Sequence, residues 1–325
     1  MKKIATLSIL TTSLLMAASA PTISTIQSEV QPPKIPVKKT SLIEVGGLHK
    51  YAPPMKVDKS GKTVHVNGFK ITGAIHMSEA KLQILITPYK NKDLTFEQLQ
   101  KVTSIITKAY RENGYFVARA YLPVQNMKNG IVEIAIIEGN YGKFILDNKS
   151  RVKTSIVQAM LDNVKDANIV STNTLERAML IINDTPGAQV TVADVKPGEA
   201  VGTSDFAITT EATPWYDGYI VGDNYGSRYT GKNRLMAGIN LNSPLGIGDK
   251  LSLSGLISNK SDLKNGSVSY SVPLMPNGLR AKIGYSRTNY TLGSEYTALD
   301  ATGVSDTTDL TFSYPIIRTR LETLK

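Results

Sequence analysis

The sequence predicts an α+β chain in which two β-α-α-β-β modules in tandem precede an incomplete antiparallel transmembrane β-barrel. Three observations carry this expectation. An apolar run behind two lysines opens the chain. Residues 62–210 hold two pairs of helical segments, each followed by two strands, and local words repeat at offsets of 73 and 72. From about residue 211 onward, short segments alternate apolar and polar residues with a period of two.

Met1-Lys2-Lys3, the run Ile4–Met16 and Ala17-Ala18-Ser19-Ala20 read as a secretion signal spanning 1–19, cut at Ser19/Ala20. Residues 20–61 read as a linker. Pro32-Pro33, Pro36 and Pro53-Pro54 keep it extended, and Lys38-Lys39 keep it solvated. The chain has no cysteine, which excludes a disulfide framework and cysteine–zinc sites. Past the signal, no run of about 18 apolar residues offers a membrane helix. Entry into a bilayer must therefore be by a barrel. The net charge is +10, and residues 210–325 carry 12 Lys+Arg against 10 Asp+Glu. The excess sits in the N-terminal part without forming a block, so nucleic acid is not an expected partner. A mild preference for acidic polypeptide is the sharper reading of that charge, and a solvated surface the plainer one.

The first module spans 62–141. Thr63–Ile71 reads as a strand, and Ser78 caps a helix to Ile86. Thr95 opens a second helix with Gln98 as its capping-box partner. Leu99, Val102, Ile106, Ala109 and Tyr110 form its buried stripe, and Asn113-Gly114 ends it. Strands Phe116–Leu122 and Ile131–Glu138 follow, turned by Asn129-Gly130. The second module spans 142–210. Its elements are Phe144–Leu146, helices Lys153–Val164 and Thr174–Ile182, and strands Gln189–Val195 and Asp205–Thr210.

Six alternating segments fill 211–325: about 218–226, 233–242, 250–258, 266–274, 279–291 and 307–317. Leu235, Ala237, Ile239 and Leu241 share one face, and Gly238, Asn240 and Asn242 the other. Leu279, Ala281, Ile283 and Tyr285 oppose Arg280, Lys282, Gly284 and Ser286. Leu310, Phe312 and Tyr314 oppose Asp309, Thr311 and Ser313. Apolar-out, polar-in segments of this length are the membrane-barrel pattern. A soluble β-sandwich shares the alternation, and Arg280 and Lys282 suit a water-filled lumen or a solvated sheet equally.

Signals for chemistry are weak. Gly226-Ser227-Arg228-Tyr229-Thr230-Gly231-Lys232 has phosphate-loop spacing, but Asn233 stands where Ser or Thr would hold magnesium, and strands flank it. A strand-connecting loop without nucleotide is the expectation. His49, His65 and His76 are scattered, without carboxylates at ligand spacing, so neither metal nor cofactor is expected. Glu138, beside Gly139, reads as a turn residue rather than a catalytic acid. No enzyme is expected.

Three groups of motifs carry a family resemblance. The first is Tyr110-x-x-x-Gly114-Tyr115-x-x-Ala118-x-Ala120-x-x-Pro123-x-Gln125 with Gly130 and Glu138-Gly139. The second is Leu175-Glu176-Arg177-Ala178 with Thr185-Pro186-Gly187. The third comprises Asp223–Gly231, Asn242-Ser243-Pro244-Leu245-Gly246-x-Gly248-Asp249 and Tyr314-Pro315-Ile316-Ile317-Arg318. In this order, over residues 62–325, they resemble the hemolysin secretion/activation transporters of the ShlB/FhaC/HecB type, the translocators of two-partner secretion. The resemblance implies two periplasmic POTRA modules at 62–141 and 142–210, and the first strands of an outer-membrane barrel at 211–325. It implies capture of an unfolded secreted partner, through that partner's N-terminal secretion domain, by strand addition to the second strand of each module. Val117, Arg119, Tyr121, Gln189 and Thr191 are then the contact residues, with Arg280, Lys282 and Asp309 lining the pore and lipid outside. The family's barrel has more strands than six, so the chain is expected to be a fragment that forms no pore by itself. An assembly chaperone of the same superfamily, or a surface adhesin or porin, are the alternatives.

Overall fold

The computed structural model describes residues 30, 45–46, 62–125, 129–167, 169–259 and 262–325. The expected signal, the remaining linker and His49 lie outside the described residues.

Val45–Gly46 forms a two-residue strand, β1. The first module then runs β2 (Thr63–Val66), β3 (Gly68–Thr72), α1 (Glu79–Ile86), β4 (Lys92–Thr95), α2 (Phe96–Glu112), β5 (Arg119–Tyr121) and β6 (Ile131–Ile137). The stretch read as one strand, 63–71, is broken at Asn67. Its first half pairs with β4 and its second joins a sheet of order β3-β6-β5. The break lets Val66 and Leu94 close one end of the core while Phe69 and Ile71 floor the rest. Helix α2 presents Leu99, Val102, Ile106 and Tyr110 to that core. Each such side chain contributes roughly 1.5–3 kcal/mol by leaving water. Both halves of the capping box form: Gln98 N–H donates to Thr95 Oγ1 (3.3 Å), and Thr95 N–H donates to Gln98 Oε1 (2.8 Å). Thr95→Ala removes one half, and about 1 kcal/mol should be lost in urea unfolding of residues 62–211.

The second module runs β7 (Asn140–Lys149), α3 (Thr154–Asp162), α4 (Thr172–Asn183), β8 (Gln189–Pro197) and β9 (Thr203–Glu211). Its sheet has the order β1-β8-β9-β7. Tyr141, Phe144 and Phe206 stack in its core with ring centroids 5.4–5.7 Å apart.

Six antiparallel strands follow: β10 (Tyr216–Asp223), β11 (Arg234–Asn242), β12 (Lys250–Ser258), β13 (Leu263–Pro273), β14 (Arg280–Thr291) and β15 (Thr302–Ser313). They pair in sequence order, and β10 and β15 are the open edges. The register stacks Leu253, Val268, Tyr285 and Thr308 on one row, and Tyr270, Ile283 and Leu310 on another. The outward face is thus apolar and exposed. The opposite face is polar near the modules. Farther away it carries an apolar cluster of Met236, Leu256 and Leu263, against which Val30, Tyr219 and Val221 pack. A short hairpin, β16 (Ile317–Arg318) with β17 (Thr323–Leu324), ends the described chain. No helix among the described residues is long and apolar enough to cross a membrane.

Candidate functional site: edge strands and joints

The edge of the first module is shorter than its sequence implies. Tyr115 N–H donates to Tyr110 O, and Ala118 N–H to Tyr115 O, so residues 114–118 form a turn and β5 begins at Arg119. Val117, expected to face a client strand, is instead buried among the second module's core residues. The cause lies at the junction. Gly139 has φ +89°, and a Cβ there would stand 2.4 Å from Val117 Cγ2. Arg119 and Tyr121 do stand on the edge strand, half-buried and exposed respectively. Between them, Ala120 N–H donates to Thr107 Oγ1 (3.0 Å), and Thr107 in turn donates to Thr103 O. The central outward amide of β5 therefore already has a partner.

The second edge, β8, is longer. Gln189 is exposed at its start, and Thr191 stands exposed on a β-bulge between Val190 and Val192. Val190 N–H donates to Asn183 Oδ1 (2.7 Å). Beyond the bulge, β1 pairs with β8 in parallel, Val45 opposite Ala193 and Gly46 opposite Asp194. This edge accepts an extended segment of the chain itself, a pairing for which two residues in a linker give no periodic signal.

The two modules are locked together. Val170 N–H donates to Gly139 O, and Thr172 N–H to Gly114 O. Next to this seam lies Glu138, a buried carboxylate. Tyr110 OH, Ile75 N–H and His76 N–H each donate to Oε1 at 2.8 Å, and His76 Nδ1 lies 2.6 Å from Oε2. Burial pushes the carboxyl up, but the bonds from His76, Ile75 and Tyr110 outweigh it and hold it below the ordinary carboxylate range. Burial and the same carboxylate push the Tyr110 hydroxyl up, so it remains a donor. Glu138 is thus a tie between the loop before α1, helix α2 and the seam. Sequence reasoning noted the turn position but could not see that three segments converge on it.

The second module is also clamped to the membrane sheet. The motif turn between β11 and β12 folds around fully buried Asp249, whose carboxylate accepts from Leu245 N–H (3.3 Å) and Tyr270 OH (2.9 Å). Gly248 (φ +75°) passes so close to Thr185 that a Cβ would come within 2.5 Å of its methyl. Arg318 forms a two-pronged pair with Asp184 (2.7 and 2.8 Å), Arg320 pairs with Glu176 (3.0 Å), and Arg177 lies over Tyr314. Asp184 caps the C-terminus of α4, where backbone carbonyls disfavour an anion, so Arg318 relieves a charge as well as making a contact. Arg318→Glu should weaken this joint by about 1–3 kcal/mol. Spin labels on α4 and β14 should then report a broadened distance distribution.

Of the pore-lining candidates, Lys282 and Asp309 meet diagonally across β14 and β15 on the polar face, 4.0 Å apart. Arg280 is drawn to the module end, where it donates to Gly248 O (2.9 Å) and Ser271 Oγ. Its place is the rim of the polar face, because the motif turn offers it a carbonyl. The loop 226–232 closes on itself, Gly226 N–H to Lys232 O, and β11 follows it, so no helix aims at a phosphate. Among the described residues no group of His, Asp and Glu could hold a metal ion.

Comparison with known proteins fits this arrangement. Residues 64–139 match the model of the POTRA domain, ShlB-type, and residues 202–325 that of the haemolysin secretion/activation protein ShlB/FhaC/HecB. Heme/hemopexin transporter protein HuxB of Haemophilus influenzae (strain 86-028NP) is 31% identical over 240 residues, covering 74% of this chain and 42% of that protein. Outer membrane transporter CdiB of Dickeya dadantii (strain 3937) is 24% identical over 271 residues, covering 82% of this chain and 48% of that protein. The chain thus spans less than half the length of these relatives, both named as transporters rather than enzymes. The solved structure of CdiB from Escherichia coli superposes with a TM-score of 0.64 at 22% identity, over 85% of this chain and 52% of that one. This likeness shows the fold: POTRA architecture followed by strands of an outer-membrane barrel, here as an open sheet. With both segments matched in order and transporters as its relatives, the chain belongs to the haemolysin secretion/activation family of the ShlB/FhaC/HecB type.

Proposed function

We propose that this protein translocates a secreted partner polypeptide across the outer membrane. In this reading residues 1–19 are removed on export and 20–61 link the signal to the modules. Residues 62–141 and 142–210 stand in the periplasm and receive the unfolded partner, and 211–325 supply the first strands of the conducting barrel. The observation that supports it best is β8, an edge strand that pairs with an extended segment while held at a fixed attitude below the sheet. A partner chain that displaces β1 can use the same outward groups. Gln189, Thr191, Arg119 and Tyr121 are the side chains beside such a chain, whereas buried Val117 is not. The periplasm offers no nucleotide, so folding of the partner outside supplies the direction.

Disruption of the gene tests this. One large secreted protein should vanish from the cell surface and accumulate or be degraded in the periplasm, with restoration by the intact gene. A fall in many outer-membrane proteins together would instead identify an assembly chaperone, and an unchanged surface would remove the transport reading.

A further inference from the structure

The apolar face of the sheet ends, on the side of the modules, at exposed Tyr216, with the exposed ring of Trp215 edge-on to it (centroids 6.3 Å apart), and at exposed Leu245 in the β11–β12 turn. Aromatic side chains at such a boundary lie at the level of lipid headgroups. The second module brings two cations to this rim. Arg151 Nε–H donates to Thr213 O (3.4 Å), two residues before Trp215, and Lys153 N–H donates to Gly246 O (2.8 Å), beside Leu245. Both side chains are exposed. Of the acids near the rim, Asp249 is fully buried in its turn, Asp217 accepts from Asn240 and Asn242 on the polar face, and exposed Glu211 stands opposite Lys149 at the end of β9. The outer rim therefore carries positive charge over an aromatic and aliphatic belt, the complement of an acidic headgroup above acyl chains.

We infer that Arg151 and Lys153 bind the phosphate of an anionic phospholipid and so seat the second module on the membrane surface. The inference rests on the apolar face being lipid-facing, and a single experiment separates the two. Trp215 is the only tryptophan of the chain. The chain is folded in dodecyl maltoside micelles carrying brominated phosphatidylglycerol or brominated phosphatidylcholine at equal mole fraction, and quenching of Trp215 is measured. Phosphatidylglycerol should quench with an apparent affinity at least about two-fold higher, since one cation near an anionic surface contributes a few-fold. Arg151→Gln with Lys153→Gln should abolish that preference and leave quenching by phosphatidylcholine unchanged, while Lys196→Gln, at the far end of β8, should leave both unchanged. Equal quenching by the two lipids in the wild type would overturn the inference alone. Loss of the preference in inorganic phosphate but not in chloride of equal ionic strength would assign the site to free phosphate and overturn the lipid assignment. No quenching by either lipid would overturn the inference together with the lipid-facing reading.

Discussion

Gly139→Val is expected to split the single unfolding transition of residues 62–211 into two and to destabilise the first by roughly 3–5 kcal/mol. Gly139 adopts φ +89°, a conformation that a β-branched residue reaches only with strain. The new side chain would also enter the space of Val117, which is 3% exposed and packed in the second module's core. Val117 would have to leave, forfeiting about 1.5–3 kcal/mol of burial. The backbone bonds across the seam depend on the same path, so the modules should uncouple as well as loosen. Coincident fluorescence and circular-dichroism transitions with an unchanged midpoint would show that the seam is not tight. A variant with an intact seam, Thr95→Ala, should keep one transition.

Glu138→Ala should cost a similar amount, about 3–4 kcal/mol, because it strands the hydroxyl of Tyr110 and the amides of Ile75 and His76 in a buried place. The effect carries a pH signature. Hydrogen bonding holds the Glu138 carboxyl below its ordinary value of 4.5 in the folded module. A carboxyl lowered on folding stabilises above its unfolded value, and that contribution is lost as pH falls through the folded value. The stability gap between wild type and Glu138→Gln should therefore be constant from neutral pH down to about 4.5 and close below it. Urea midpoints at a series of pH values measure it. A gap that widens on acidification would mean that Glu138 is bound in its protonated form.

Elements with a strong period were legible in the sequence. Helix α2, with its capping box and stripe, and the first five membrane strands, with their alternation, fall within three residues of where the pattern places them, whereas β15 runs Thr302–Ser313 against an expected 307–317. The family motifs also led to the transporter fold. What escaped was set by distant contacts. The strand expected over 116–122 was cut to Arg119–Tyr121 because Val117 is needed at the seam, and periodicity does not record such a demand. The 63–71 strand broke at Asn67 because its halves serve different sheets. Arg280 is expected on the polar face, and the carbonyl of Gly248, far off in sequence, decides its direction. Glu138 looked like a turn residue because its partners lie 28 to 63 residues away. The clamp of Arg318 on Asp184 spans 134 residues, and no local signal could pair them.

Backbone NMR of residues 62–211 tests directly whether the modules take up the partner by strand addition. The unfolded N-terminal secretion domain of the partner is titrated into the labelled modules. Shifts and new exchange protection should concentrate on Thr191–Pro197 of β8, with smaller effects at Arg119–Tyr121, where Thr107 already holds an amide. Shifts confined to the helices, or none at millimolar partner, would contradict it.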